Sequence, residues 1–489
     1  MSTRGRRQAG KHCQFAVIGG GPAGLAAAEF AARRGVRVLL FEARRLGGTS
    51  LNTGSVPSKA LIRSATLLAA IREVARLQDA AAPQPLADLK RLAARLGSIE
   101  ERIARYHSLA RLAALGIEVH FGASHFIDRR TLATPAGRVT FDKVLVATGA
   151  RPAAHGITGL TEGSFLTSES IFDLQQLPQR LAVVGGGPLG CELAQAFCRL
   201  GAQVTIVQNE AEFLPREERD AAQILARSMA RDGVDIILNT QVVGARPENG
   251  QVRLAIENYG RRREVLADKV LVSVGRVPQL EGLNLEGAGI SFDAYEGIKV
   301  NDFLCTSNPR VYAAGDVCMS HKYTHVARAS AEIATHNALT RGGARRLSTL
   351  TIPWCTFCAP EIAHVGLQVW EARTRHIPVK TYTVMMHDVD RAITDMQDSG
   401  FVKLHVAEGS DRLLGATIVT ARASEMINEV CVAMHSGIGL RALAEVVHTY
   451  PTQSAAIRMA ARSFCTAEGP GKARRSAAKT ATRRSNRER

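Results

Sequence analysis

"CQFAVIGGGPAGLAAAEFAARRGVRVLLFEARRLGG", Cys13 to Gly48, reads as strand, glycine turn, helix and second strand. Gly19, Gly21 and Gly24 form GxGxxG directly behind the apolar strand. The first permits the tight turn, the second lets backbone approach a pyrophosphate, and the third lets helix and strand pack closely. The phosphates then sit on the helix N-terminus. Glu42 closes the second strand 23 residues after Gly19, in place to accept hydrogen bonds from an adenosine ribose. The unit recurs in "LAVVGGGPLGCELAQAFCRLGAQVTIVQNEAEFLPR", Leu181 to Arg216, with Gly185, Gly187 and Gly190. One chain is therefore expected to hold two dinucleotides. Where the ribose-binding acid would stand, the second copy has Gln208, neither the carboxylate that favours NAD nor an arginine for a 2′-phosphate. Glu210 and Arg216 pull in opposite directions. NADH or NADPH stays open, with a lean to NADH because no basic cluster occupies the strand end.

The rest of the composition suits a soluble globular protein. At 489 residues the chain should hold about two or three cores. Hydrophobic residues make up 46% and charged residues 22%, and no run of about eighteen apolar residues argues for membrane insertion. The basic start lacks a separate apolar segment, so a secretory signal is not expected. Nine scattered cysteines do not form a disulfide framework, which points to a reducing, cytoplasmic setting. The net charge of +17 is concentrated at the ends: Lys472 to Arg489 contributes +7, and Arg4, Arg6, Arg7 and Lys11 add +4. That tail, residues 469–489, reads as a disordered solubilising segment with weak nucleic-acid or acidic-surface contact as the alternative.

Two further stretches, "KVLVATGARP" (Lys143 to Pro152) and "KVLVSVGRVPQL" (Lys269 to Leu280), each run an apolar strand into a glycine turn. "RVYAAGDVC" places Asp316 at a strand end, where its carboxylate would bind flavin hydroxyls or cap a helix. Pro57 to about Leu115 is periodic in Leu, Ile and Ala and reads as helix, broken near "AAPQP". From about Thr351 short strands such as "FVKLHV" and "LLGATIV" alternate with helices, the pattern of a third domain.

In order along the chain, "GGGPAG", "GGTSLNTGSVPSK", "ATGARP", "GGGPLGCE", "GRVPQ", "YAAGDV" and "HTYPT" carry a likeness. From about Gln14 to Phe464 the chain resembles the two-dinucleotide disulfide oxidoreductase flavoproteins, the group of dihydrolipoamide dehydrogenase, glutathione reductase and mercuric reductase. The mercuric-reductase-like branch is nearest, on "IPWCTF", "GATIV" and "HTYPT". The resemblance implies an α/β fold with two Rossmann-like dinucleotide-binding domains and a C-terminal α+β dimerisation domain. It divides the chain into an FAD-binding domain in two parts (residues 12–156 and 283–350), an NAD(P)-binding domain (157–282) and an interface domain (351–468). It also implies FAD, NADH or NADPH, and a homodimer. Gly48, Thr49, Thr148, Gly149 and Gly275 join the cofactor-binding positions on the same ground, with Asp316 on the flavin side.

Members of that family carry CxxxxC at the positions held here by Ser50 and Ser55. A serine hydroxyl has no accessible thiolate and cannot form a disulfide, so the dithiol relay is absent and the two serines are expected beside the flavin as hydrogen-bonding or space-filling groups. Lys59 matches the lysine that the family places near flavin N5, paired with the acid matching Glu192. The family's His-Glu acid-base pattern HPTxxE aligns here with Tyr450, Pro451, Thr452 and Ala455. Tyr450, with an ordinary pKa of about 10, can donate a hydrogen bond but is a poor base at neutral pH. His448, about 7 Å away along an extended chain, would share a face with it and ranks lower. The vicinal cysteine pair common near the mercuric reductase C-terminus is missing, Cys465 standing alone. Cys355 and Cys358 have CxxC spacing, but on a strand they face opposite sides, and no second pair completes a metal site. Cys318, behind Asp316, reads as packing.

These readings lead to an FAD-dependent NAD(P)H oxidoreductase with Lys59, Glu192 and Tyr450 as candidate catalytic residues and no metal. It takes hydride from nicotinamide to flavin and passes electrons directly to a non-disulfide acceptor whose identity stays open. The alternatives are an NADH/NADP transhydrogenase-like flavoprotein, a mercuric or disulfide reductase using other thiols, and a flavin-bound scaffold or redox sensor.

Overall fold

The computed structural model describes residues 11–79, 87–154, 156–161 and 163–468. The expected basic tail and the "AAPQP" break lie outside these residues. The chain forms two compact units. One contains the residues up to Asn209 together with Asn239–Leu350; the other contains Glu210–Leu238 and the residues from Thr351 onward.

The first unit is built on the parallel strands Ile117–Phe121, Val38–Glu42, Lys11–Ile18 and Gly137–Val146, adjacent in that order. Phe15 pairs with Val38 on one side and Lys143 on the other. A parallel strand covered on both faces needs an unbroken apolar run, and Phe15, Ala16 and Val17 are fully buried. The long strand Gly137–Val146 serves two partners on its other side: Thr131–Thr134 runs antiparallel along its start, and Val311–Ala313 runs parallel along its end. That second pairing brings Asp316 to the same sheet end as the first glycine turn. Helix Pro22–Ala32 buries Ala23, Gly24, Ala27, Ala28 and Ala31, small residues that let it lie close to the sheet.

A second parallel set, Gln203–Val207, Arg180–Val184 and Lys269–Val272, repeats the arrangement around helix Pro188–Leu200. An antiparallel meander, Gln241–Glu248, Gln251–Asn258 and Arg261–Ala267, precedes its last strand. The helices Ser55–Leu77, Leu89–Ala104 and Leu109–Ala114 fill the stretch read as helical from its periodicity.

The second unit has a five-stranded antiparallel sheet in the order Pro353–Thr356, Glu361–Gly366, Leu413–Thr420, Phe401–Ala407 and Val379–Met385. Helix Ala423–His435 covers it, and Val365, Leu404, Ile418, Val430 and Phe464 share its core. Helix Arg219–Asp232 belongs to this unit through polar contacts. Lys403 Nζ donates to Glu218 Oε2 at 2.8 Å, Trp354 Nε1 to Glu217 Oε1 at 3.1 Å, and Ser228 Oγ to the carbonyl of Ala359 at 2.7 Å. Among the described residues no helix is long and apolar enough to cross a membrane.

Candidate active site

The first glycine turn has no room for a side chain at its first and third motif glycines. Gly19 has φ +105°, and a Cβ there would lie 2.3 Å from the carbonyl oxygen of Ala147. A Cβ at Gly24 would lie 1.7 Å from the carbonyl oxygen of Gly19. Gly48, which opens helix Gly48–Asn52, faces Gly21 so closely that its Cβ would come within 2.8 Å of the Gly21 Cα. Gly21 precedes helix Pro22–Ala32 without a side-chain cap, so the first backbone N–H groups of the helix are left for an anionic group. Glu42 accepts from Gly20 N at 2.6 Å through Oε2 and from Arg44 N at 2.7 Å through Oε1. Bare backbone, a helix start and an anchored carboxylate at the strand end suit a dinucleotide phosphate and ribose.

The second turn is close to a copy. Gly185 has φ +102°, Gly187 precedes helix Pro188–Leu200, and a Cβ at Gly190 would lie 2.2 Å from the carbonyl of Gly185. Buried Gln208 accepts from Gly186 N at 2.8 Å through Oε1, as Glu42 does from Gly20. Thr148 and Gly149 are tied to the chain near the second strand-turn: Thr148 Oγ1 donates to the carbonyl of Gln279 at 2.8 Å, and Gln279 N donates to that of Gly149 at 2.9 Å. The carbonyl of Gly275 accepts from Ala153 N at 3.0 Å.

Between the turns the serine-bearing segment meets a residue from far along the chain. Ser50 Oγ lies 2.6 Å and Ser55 Oγ 3.4 Å from Thr324 Oγ1, at the start of helix Thr324–Leu339. One turn beyond Ser55, Lys59 Nζ donates to Glu192 Oε2 at 2.8 Å. The Glu192 side chain is only 4% exposed, so the pair joins helix Ser55–Leu77 to helix Pro188–Leu200 through a largely buried charge. Arg276 links further positions: Nη2 donates to the carbonyl of Ala150 and reaches Thr49 Oγ1 at 3.5 Å, and Nε lies 3.9 Å from Asp316 Oδ2. Burial pushes the Asp316 carboxyl above the usual aspartate value, against the pull of Arg276 and Lys322. Asp316 sits inside the short turn Gly315–Val317 and caps no helix, which removes the capping alternative. Cys318 packs beside it, its thiol pushed up to about 12 by burial and then by the Asp316 charge. Thr324 and Arg276 were missed as site residues. Arg276 had a signal in "GRVPQ", but Thr324 lies 274 residues from Ser50 and had none.

Tyr450 and His448 belong to the second unit and do not share a face. Tyr450 is 75% exposed and donates to Asp390 Oδ2 at 2.9 Å, a bond that raises its pKa. The His448 side chain is turned inward, 7% exposed, because Nε2 pairs with Glu429 Oε1 at 2.8 Å on helix Ala423–His435. Cys355 lies on strand Pro353–Thr356 and Cys358 beyond its end. No cluster of three or more metal-ligating side chains occurs among the described residues.

Residues 13–332 match the pyridine nucleotide-disulphide oxidoreductase family, and residues 352–461 match its dimerisation domain. A mercuric reductase of Acidithiobacillus ferrooxidans is 34% identical over 465 residues, 93% of this chain and 83% of that protein. A dihydrolipoyl dehydrogenase of Mycoplasma pneumoniae is 31% identical over 441 residues, 89% of this chain and 95% of that protein. Among solved structures, the HOCl-induced flavoprotein disulfide reductase RclA from Escherichia coli superposes with a TM-score of 0.81 at 28% identity, covering 91% of this chain and 98% of that one.

Proposed function

The chain belongs to the pyridine nucleotide-disulphide oxidoreductase family and is an FAD-dependent NAD(P)H oxidoreductase; on that premise we propose that it reduces its acceptor without a disulfide relay, with Ser50 and Ser55 standing where the redox pair would be. FAD, when bound, would supply the hydride-accepting and electron-donating chemistry. Lys59, held in place by the carboxylate of Glu192, would set a positive charge beside the flavin ring. Glu42 and Asp316 would hold FAD hydroxyls, and the turns at Gly19 and Gly185 would hold the two pyrophosphates. Tyr450, whose hydroxyl donates to Asp390, would donate to an acceptor only by giving up that bond. The match to the dimerisation domain supports a homodimer.

One observation carries this reading: the Ser50 and Ser55 hydroxyls both meet the hydroxyl of Thr324, a hydrogen-bonded group with no sulfur in it. Hydroxyls relay protons but store no electron pair. Anaerobic titration with NADH and with NADPH tests it through the flavin spectrum. A two-electron endpoint is expected, and a four-electron endpoint would show a hidden disulfide.

The names of the relatives favour a second reading, a mercuric or disulfide reductase that uses thiols other than those at positions 50 and 55. They speak for it more than for direct transfer from flavin. It requires Cys318, Cys355 or Cys358 to do the work, and the high thiol pKa of Cys318 counts against that residue. Turnover of mercuric ion or a small disulfide that disappears when one of these cysteines is replaced would establish it.

A further inference from the structure

The two glycine turns allow a comparison inside one chain. Gly19 N donates to the carbonyl of Phe41 at 2.7 Å, and Gly185 N to that of Val207 at 2.9 Å. Gly20 N donates to the Glu42 side chain at 2.6 Å, and Gly186 N to the Gln208 side chain at 2.8 Å. The two strand-end side chains thus occupy the same place relative to their turns and differ in one group, a carboxylate against a carboxamide.

That difference decides what each presents to a ribose. A backbone N–H only donates, so Gly186 requires the oxygen of the Gln208 amide and fixes its orientation. Nε2 is left as a donor, and it forms no hydrogen bond among the described residues. Glu42 presents an anionic group made only of acceptors. Gln208 presents a neutral N–H donor, which a ribose 2′-hydroxyl and a 2′-phosphate can both accept. The repulsion by which a strand-end carboxylate rejects a 2′-phosphate is absent.

We propose that Gln208 makes the second dinucleotide site tolerant of both nicotinamide nucleotides, its fixed amide donating to the 2′-oxygen whether or not that oxygen carries phosphate. The inference rests on the second glycine turn being the nicotinamide nucleotide site.

The test is calorimetric binding of adenosine 2′,5′-bisphosphate and adenosine 5′-monophosphate to the FAD-loaded protein, in which the first site is filled. Wild type should bind the two within about 5-fold of each other, since the Gln208 amide carries no charge to repel phosphate. Gln208→Glu should weaken the bisphosphate by about 30-fold or more and leave the monophosphate within about 3-fold, because only the former meets the new charge. Gln208→Leu, which deprives Gly186 N of its acceptor, should weaken both alike. Wild-type discrimination of more than about 30-fold, or equal loss of both probes in Gln208→Glu, overturns the proposal while leaving the site where it is. Absence of binding by either probe overturns the proposal and the nicotinamide-site reading with it.

Discussion

Lys59 and Glu192 are 133 residues apart in sequence and 2.8 Å apart in the structure. A buried carboxylate paired with a lysine amine keeps a positive charge at a fixed point, which is what developing negative charge at a flavin ring requires. Lys59→Met should therefore slow flavin reduction by NADH by about 100-fold in anaerobic stopped-flow, while Lys59→Arg recovers part of the rate. Unchanged reduction by the methionine variant would make the pair purely structural. Ser50 and Ser55 permit the converse experiment, since both hydroxyls meet Thr324 Oγ1. In Ser50→Cys/Ser55→Cys the two sulfurs should come within bonding reach, and the reductive endpoint should rise from two electrons to four. Each single cysteine variant should stay at two.

The element that behaves least like its sequence is the turn before helix Arg219–Asp232. Glu217 and Glu218 are both buried, yet their carboxyls move in opposite directions. Burial pushes Glu217 up to about 7, aided by the Glu218 charge and opposed by the Trp354 bond. Burial would raise Glu218 too, but His405 and Lys403 together outweigh it and hold the carboxyl down at about 2. Glu218 Oε1 and His405 Nε2 are 3.1 Å apart, an ion-pair distance without hydrogen-bond alignment. The signs follow from linkage. With a folded pKa above the usual 4.5, Glu217 contributes stability that is full below pH 4.5 and is lost as pH rises through 7. Glu218 contributes stability that is present above 4.5 and is lost as pH falls towards 2. Glu217→Gln should thus be more stable than wild type by about 2–3 kcal/mol at pH 8 and gain little at pH 4.5 in urea unfolding. Trp354 emission should titrate near pH 7 in wild type and stay flat in the variant. Equal pH profiles for the two proteins would remove Glu217 as the titrating group.

At the scale of the whole molecule the prediction concerns assembly. Val446, Val447 and Tyr450 are large apolar or aromatic side chains exposed within one short segment of the dimerisation domain, Val447 at 84%. Exposed clusters of this kind mark surfaces that a partner covers. Sedimentation should show two chains per particle, and Val447→Glu should shift the protein towards single chains at low micromolar concentration. A variant that remains as tightly paired as wild type would place this segment outside the interface.

The glycine spacings, the alternation of apolar strands with helices and the order of the motifs were enough to read two dinucleotide-binding units followed by an α+β domain. These are local signals, because a tight turn needs glycine and a buried parallel strand needs an unbroken apolar run. The serines were equally legible, since their chemistry depends on residue type alone. Contacts between distant residues were not. Thr324 between Ser50 and Ser55, Arg276 beside Asp316, and His448 turned towards Glu429 leave no periodicity along the chain. Gln208 shows the division most clearly. Sequence determined that an amide stands where the first site has a carboxylate, and left the choice of nucleotide open. The tertiary structure placed Gly186 N against its oxygen, and that one bond decided which end of the amide is left to donate.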